Sequence, residues 1–416
     1  MHRAERSSLS SPQMRFVRSR LAAVAMIGVL LAVWIGATAL RSSPPIDLAV
    51  YLRAGKMFAM GGGLYFPGWG APLSTPLPYT YPPLWAAAVA PATVFPWRIV
   101  VLGWTAANVM VLVWIVRLSF REALGRAGPF RWMTLSGLAV VSTLTAPVGD
   151  VLWVGQLGIL LTAACLADTV PDRTRLPRGM LVGAATAVKL IPGVFILYWL
   201  ATKRWREASI STATAVGLWL FTAFLRPDLS REYWTEVVFR MNRVGGAEIA
   251  NNQSLHGLLL RMRWGGPWVY VAVALATLAL GMHRARVAHV RGDELAAACS
   301  VGITGLLVSP VSWIHHAIWI VPLVGVSLGD ASDRRRWLLS AGVLALFMLR
   351  IPLWVESGST DVGTILGPIL ENSYVLAFLA ALFLLPLLRA ERPSARAGPA
   401  RRLTSAPGDV RWDDSG

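Results

Sequence analysis

The chain is expected to fold as an all-α polytopic membrane protein with about ten full transmembrane helices plus short re-entrant or interfacial helices. Three observations carry that expectation. Apolar residues fill 55% of the 416 positions and charged residues only 15%, for a mean hydropathy of +0.55, too apolar for a soluble enzyme of this size. The 19 Trp suit a chain whose helix ends cross the membrane interfaces repeatedly, because amphipathic indoles collect there. The basic surplus, 36 Arg and 3 Lys behind a net charge of +17, comes in short clusters between apolar runs. That spacing matches loops facing anionic lipid, whereas a nucleic-acid-binding face needs its cations gathered on one surface.

Taken in order, residues 1–20 form a basic tail containing Arg15, Arg18 and Arg20, expected in the cytoplasm. The run 21–40 has the roughly 20 apolar residues a span needs and no convincing cleavage site, so it reads as an uncleaved first span. It delivers an outer loop, 41–85, to the extracytoplasmic side, and PPLWAAAVAP at the end of that loop is too short to cross. Further spans are expected at 98–116, 132–147, 155–170, 208–225, 267–282, 293–311, 314–328, 337–355 and 373–389, with the arginine clusters fixing which turns face the cytoplasm. Segment 179–202 is flanked by basic residues at both ends and is too short for two crossings. Two half-helices broken near Lys189 and Pro192 fit it, with a single span as the rival. Both termini then lie inside, 21–389 forms the membrane domain with outer loops 41–85 and 226–266, and 390–416 reads as a disordered cytoplasmic tail.

Parity brings the polar motifs to one face. Asp47, just after the first span, is either a helix N-cap or a functional carboxylate, since acids next to hydrocarbon are retained for a reason. Tyr51, Arg53 and Tyr81 accompany it. Gln156, at the turn GDVLWVGQLG, can bind a sugar hydroxyl or tie two helices together. Lys189, in a long apolar run, needs an anion, either a structural carboxylate such as Asp168 or a substrate phosphate. Asn252 and Gln253 in NNQSLH are read as sugar-recognising or helix-capping amides. In SPVSWIHH, Trp313, His315 and His316 are expected to open a helix. Adjacent histidines point about 100° apart there, a poor chelating pair but suited to donating to a phosphate. Cys165 and Cys299 lie in apolar runs and are read as small packing residues, with neither disulfide nor metal implied.

These motifs, in the order PPIDLAVYLRAG, GLYF, YTYPPLW, VGQLGILL, AVKLIPGVFILYWL, NNQSLHGLLLR and LVSPVSWIHH, resemble the polyprenol-phosphate-mannose-dependent mannosyltransferases of glycosyltransferase family 87. The resemblance covers roughly residues 45–325 and weakens after about residue 330. It implies a GT-C membrane fold in the plasma membrane, with the active site on the extracytoplasmic face. It also implies inverting transfer from β-mannosyl phosphoryl polyprenol to a hydroxyl of a lipid-linked glycan, of phosphatidylinositol mannoside or lipomannan type. Asp47 then maps onto the general base, although other GT-C families often carry an acidic pair and this chain has one Asp. His315, His316, Lys189 and Arg53 become candidates for the donor phosphate, and Tyr51, Tyr81, Gln156, Asn252, Gln253 and Trp313 for the sugars. Membrane lipids are the surroundings, no nucleic acid is involved, and no metal or other cofactor is expected. Two alternatives stay open: an arabinofuranosyltransferase using polyprenyl phosphoarabinose, and a secondary transporter, which predicts inverted repeats not found between the halves.

Overall fold

The computed structural model describes residues 12–65, 77–171, 175–240, 246–356 and 363–390, and these are almost entirely helical. The expected disordered tail and most of the basic tail lie outside the described residues. Five helical stretches are long and apolar enough to cross a membrane, Val17–Ala37, Trp97–Ser119, Trp205–Leu225, Pro267–Val290 and Arg334–Val355, and a sixth arises if the bent pair Gly128–Leu144 and Ala146–Val154 counts as one. The protein is therefore an integral membrane protein, with five or six helices among the described residues that meet the length and apolarity of a full span, against the ten expected. Several runs that read as spans are shorter helices of about half a bilayer, which apolar length alone cannot separate from a crossing.

The chain opens with α1 (Pro12–Ala39) and, after Pro44 and Pro45, α2 (Ile46–Ala59). Asp47 sits in the first turn of α2, where a negative charge complements the helix dipole. Its side chain makes no cap, and Pro45 holds the N-cap position. The triple glycine ends α2 as the sequence implies. Gly61 takes φ +76, and the amides of Gly61 and Gly62 close onto Phe58 and Met57 carbonyls, the hydrogen-bond pattern that a left-handed residue permits. The short α3 (Pro83–Val89) lies against α2 and is followed by α4 (Trp97–Ser119), a full span, then α5 (Arg121–Arg126).

The expected hairpin of two spans between 132 and 170 is instead α6 (Arg131–Leu144), a 77° bend, α7 (Ala146–Val154) and α8 (Gly158–Thr169). The bend falls at Thr145, which is extended at ψ 141 just ahead of Pro147. The left-handed Gly155 (φ +76) stops α7.

Next come α9 (Met180–Val188), α10 (Val194–Ala201), α11 (Trp205–Leu225), and α12 (Pro227–Thr235). The 179–202 segment is broken at Lys189, which is extended at φ −148 and ψ 125. Pro192, three residues on, cannot supply an amide to continue the helix. Contacts fix the path. A Cβ on Gly179 would lie 2.4 Å from the Glu207 carbonyl oxygen, and one on Gly183 would lie 2.5 Å from that of Ser211. Trp219 Nε1 donates to the Ala187 carbonyl at 3.1 Å. So α9 runs parallel to α11, and α10 returns to Arg204 at the start of α11. Both basic flanks stand at one end of the molecule and Lys189 at the tip, as two half-helices of about 12–14 Å each should place them. Glu294 clasps the base, accepting from Tyr198 Oη at 2.8 Å and lying 3.7 Å from Arg204.

The remaining helices are α13 (Leu255–Arg261), α14 (Pro267–Val290), α15 (Glu294–Val308), α16 (Ile320–Leu328), α17 (Arg334–Met348), α18 (Ile351–Glu356), α19 (Gly363–Glu371) and α20 (Ser373–Ala390). Helix α15 is the centre of the core: every residue from Leu295 to Leu307 is buried, as expected of a helix apolar on all sides. By contrast Leu220, Phe221 and Phe224 of α11 and Trp268 and Leu275 of α14 are exposed, forming the apolar outer surface that lipid would cover. The expected helix 314–328 is only partly formed. Ile314–His316 is a single 3₁₀ turn, and α16 starts at Ile320.

Candidate active site

A cavity of about 760 Å³ opens at the end of the bundle that carries the Lys189 tip. Asp47, Gln156, Lys189 and the pair His315 and His316 meet there, delivered by four different stretches of chain. Gln156 is the hub. Its Nε2 donates to Asp47 Oδ2 at 3.2 Å and approaches His315 Nε2 at 3.4 Å. Its Oε1 accepts from Tyr81 Oη at 2.9 Å, from the Leu157 amide at 3.0 Å and from Tyr51 Oη. Every hydrogen-bonding position of a buried amide is thus engaged, which fixes its orientation.

Two glycines permit this approach. A Cβ on Gly155 would sit 2.7 Å from the Leu48 Cβ, and one on Gly158 would sit 3.2 Å from the His315 carbonyl oxygen. Gly155 therefore lets the end of α7 touch the start of α2, and Gly158 lets α8 start against the histidine turn. The tyrosines are equally fixed. Tyr51 packs edge-on to Tyr81 and Trp85, and Tyr65 Oη donates to the Tyr81 carbonyl at 2.8 Å.

Lys189 Nζ lies 2.9 Å from His316 Nε2 and 3.4 Å from Tyr81 Oη. An ammonium donating to Nε2 leaves the His316 proton on Nδ1, and that atom has no hydrogen-bond partner among the described residues. His315 and His316 stand at right angles with ring centroids 4.6 Å apart. They occupy the 3₁₀ turn rather than a helix N-terminus, so the helix-dipole argument for anion binding does not apply to them. Asp168 is not the counter-ion of Lys189. Its Oδ2 accepts from the Gly179 and Val182 amides at 3.0 and 2.9 Å, capping α9 at the opposite end.

The Asp47 carboxyl lies outside the spanning segments and is pushed up to about 6. Burial raises it by disfavouring the charged form, while the Lys189 charge and the Gln156 hydrogen bond oppose that rise. An acid in that range is poised to accept a proton near neutral pH.

Tyr51, Tyr81 and Trp313 also line the cavity, whereas Arg53, Asn252 and Gln253 are not among its lining residues. Asn252 is consumed by the loop. Its Nδ2 donates to the Ala247 and Pro310 carbonyls, and its Oδ1 accepts from the Ser312 amide. Gln253 likewise donates to the Ala250 and Glu371 carbonyls and accepts from the Val375 amide. These buried amides tie the 246–254 loop to α19, α20 and the 309–313 strand-like segment. Their neighbour Asn251 lines the cavity instead, a one-residue displacement that the string NNQS does not reveal. Asp150 and Arg350 also border the cavity. Asp150, an acid on α7 six residues before Gln156, was not singled out from the sequence.

An acid, a fixed amide, an ammonium and two imidazoles surround one cavity at one end of a bundle with an apolar outer surface. Residues 79–310 match the profile of glycosyltransferase family 87, and the chain belongs to that family. It is 33% identical over 399 residues, 88% of this chain and 89% of the relative, to the polyprenol-phosphate-mannose-dependent alpha-(1-2)-phosphatidylinositol mannoside mannosyltransferase of Mycolicibacterium smegmatis. The protein of the same name in Mycobacterium tuberculosis is 29% identical over 385 residues, 87% of this chain and 89% of the relative. A polyprenol-phosphate-mannose-dependent alpha-(1-2)-phosphatidylinositol pentamannoside mannosyltransferase of Mycobacterium tuberculosis is 32% identical over 325 residues, 75% of this chain and 73% of the relative. No solved structure matches the chain significantly.

Proposed function

We propose that this protein is an inverting mannosyltransferase that moves mannose from polyprenyl phosphate mannose to a hydroxyl of a phosphatidylinositol mannoside or related lipoglycan. The juxtaposition of Asp47 with Gln156, Lys189 and the histidine pair carries the reading. Asp47 takes the proton from the acceptor hydroxyl as that oxygen attacks the anomeric carbon. The bond from that carbon to the phosphate oxygen breaks on the opposite face, so a β-linked donor gives an α-mannoside. Polyprenyl phosphate leaves with its negative charge, and donors already in place can stabilise it as it forms. The Lys189 ammonium is the group suited to that task, with His316 Nε2 holding it in place. Gln156 holds the Asp47 carboxylate toward the acceptor, and Tyr51 and Tyr81 hold Gln156. The Lys189 ammonium supplies positive charge at the leaving group, so this reading calls for no metal.

The site end of the bundle is read as extracytoplasmic. The arginine-rich flanks of α9 and α10 stand at the other end, where the positive-inside rule puts the cytoplasm.

The test is transfer by the purified full chain in detergent, offered labelled mannosyl or arabinosyl phosphoryl polyprenol with a phosphatidylinositol mannoside acceptor. Label is expected to move from the mannosyl donor, with EDTA leaving the rate unchanged. Transfer only from the arabinosyl donor would replace mannose in this reading, and transfer from neither would overturn it.

A further inference from the structure

One flank of the cavity carries an ion pair that the transfer step does not use. Asp150 and Trp153 stand three residues apart on α7, a spacing that puts them on one helix face, and both line the cavity. Arg350, between α17 and α18, donates from Nη2 to Asp150 Oδ1 at 2.7 Å. Its backbone takes φ +54, a left-handed conformation uncommon outside glycine and a reason to look for a function. Trp153 is 54% exposed, and the Arg41 guanidinium stacks 3.7 Å from its ring centroid, steadying the indole at the cavity edge.

We propose that Asp150, Arg350 and Trp153 form an acceptor-sugar subsite for a hexose ring next to the one that bears the attacking hydroxyl. Asp150 stands on α7 ahead of the left-handed Gly155 that turns the chain into Gln156, so the pair borders a part of the cavity wall separate from the contact between Asp47 and Gln156. A carboxylate accepts from one hydroxyl while a guanidinium N–H donates to its neighbour, so the pair matches a vicinal diol. The amphipathic indole offers its apolar face to the C–H face of the ring. The charge balance favours hydroxyls over a phosphodiester. Asp150 offsets the guanidinium charge, and a phosphate drawn to Arg350 would meet a partly buried carboxylate at the same place.

This subsite rests on the proposed mannosyl transfer, and the experiment separates the two. Purified wild type, Arg350→Ala and Trp153→Ala are compared with mannosyl phosphoryl polyprenol as donor. The acceptors are an alkyl α-mannoside, an alkyl α-dimannoside and a phosphatidylinositol monomannoside. Both substitutions are expected to lower the kcat/KM ratio of dimannoside over monomannoside about tenfold, entering through KM. An unchanged ratio overturns the subsite. So does an equal loss with all three acceptors, the behaviour of a purely structural ion pair. A loss confined to the phosphatidylinositol acceptor would also overturn it, by making Arg350 a phosphate contact. If wild type transfers to no mannoside, the reaction itself is wrongly assigned and the subsite falls with it.

Discussion

Asp47→Asn is expected to lower kcat about 10²–10⁴-fold, the range a positioned general base supplies, with donor KM little changed. The substitution keeps the side-chain volume, and its amide oxygen can still accept from Gln156 Nε2, now 3.2 Å from Asp47 Oδ2. What it removes is the proton acceptor. The acceptor hydroxyl is a poor nucleophile until its proton departs, so the loss falls on the transition state and on kcat. Steady-state kinetics with labelled donor in membranes of wild type and variant check this. Turnover within about threefold of wild type would show that the proton leaves by another route.

How far the sequence foretold this geometry differs from residue to residue. Asp47, Gln156, His315 and His316 were legible as neighbours, because each is a polar group at the edge of an apolar run and loop parity put them on one side. Lys189 stood out as an ammonium inside an apolar run that needs a partner. The broken segment at Lys189 was legible too, since basic flanks on both sides of a run too short for two crossings leave few paths. Span count was not legible. Apolar composition cannot separate a full crossing from a half-helix such as α8, because both must satisfy the same hydrocarbon. The loop amides, left open in the sequence between sugar recognition and capping, show a different difficulty. Asn252 and Gln253 look like ligand-binding groups in sequence, yet a buried loop needs amides to satisfy its own backbone, and only coordinates show which demand they meet. The Asp150 to Arg350 contact spans 200 residues, and no local pattern announces a pair at that separation.

The second large effect is at the leaving group. Lys189→Met is expected to lower kcat about 10²–10³-fold, the loss typical when a preorganised donor to developing charge is removed. Methionine keeps the apolar stem that passes through the tip of the half-helix pair, so packing around the break is largely retained. The ammonium, which lies 2.9 Å from His316 Nε2, is lost. Lys189→Arg is expected to recover part of the rate, since charge is restored with a different shape. Donors with a better phosphate leaving group should be hurt less, because less charge stabilisation is then needed. Equal penalties for good and poor leaving groups would move Lys189 from phosphate handling to a structural role.

The most direct measurement of the central claim is the pH dependence of kcat/KM for the wild-type chain. A base works only when deprotonated, and burial has pushed the Asp47 carboxyl up to about 6. The rate is therefore expected to be level above that pH and to fall about tenfold per unit below it. That acid limb should be absent from the residual activity of Asp47→Asn. A wild-type profile that stays flat through this region, or an acid limb that survives in Asp47→Asn, would contradict the assignment of Asp47 as the base.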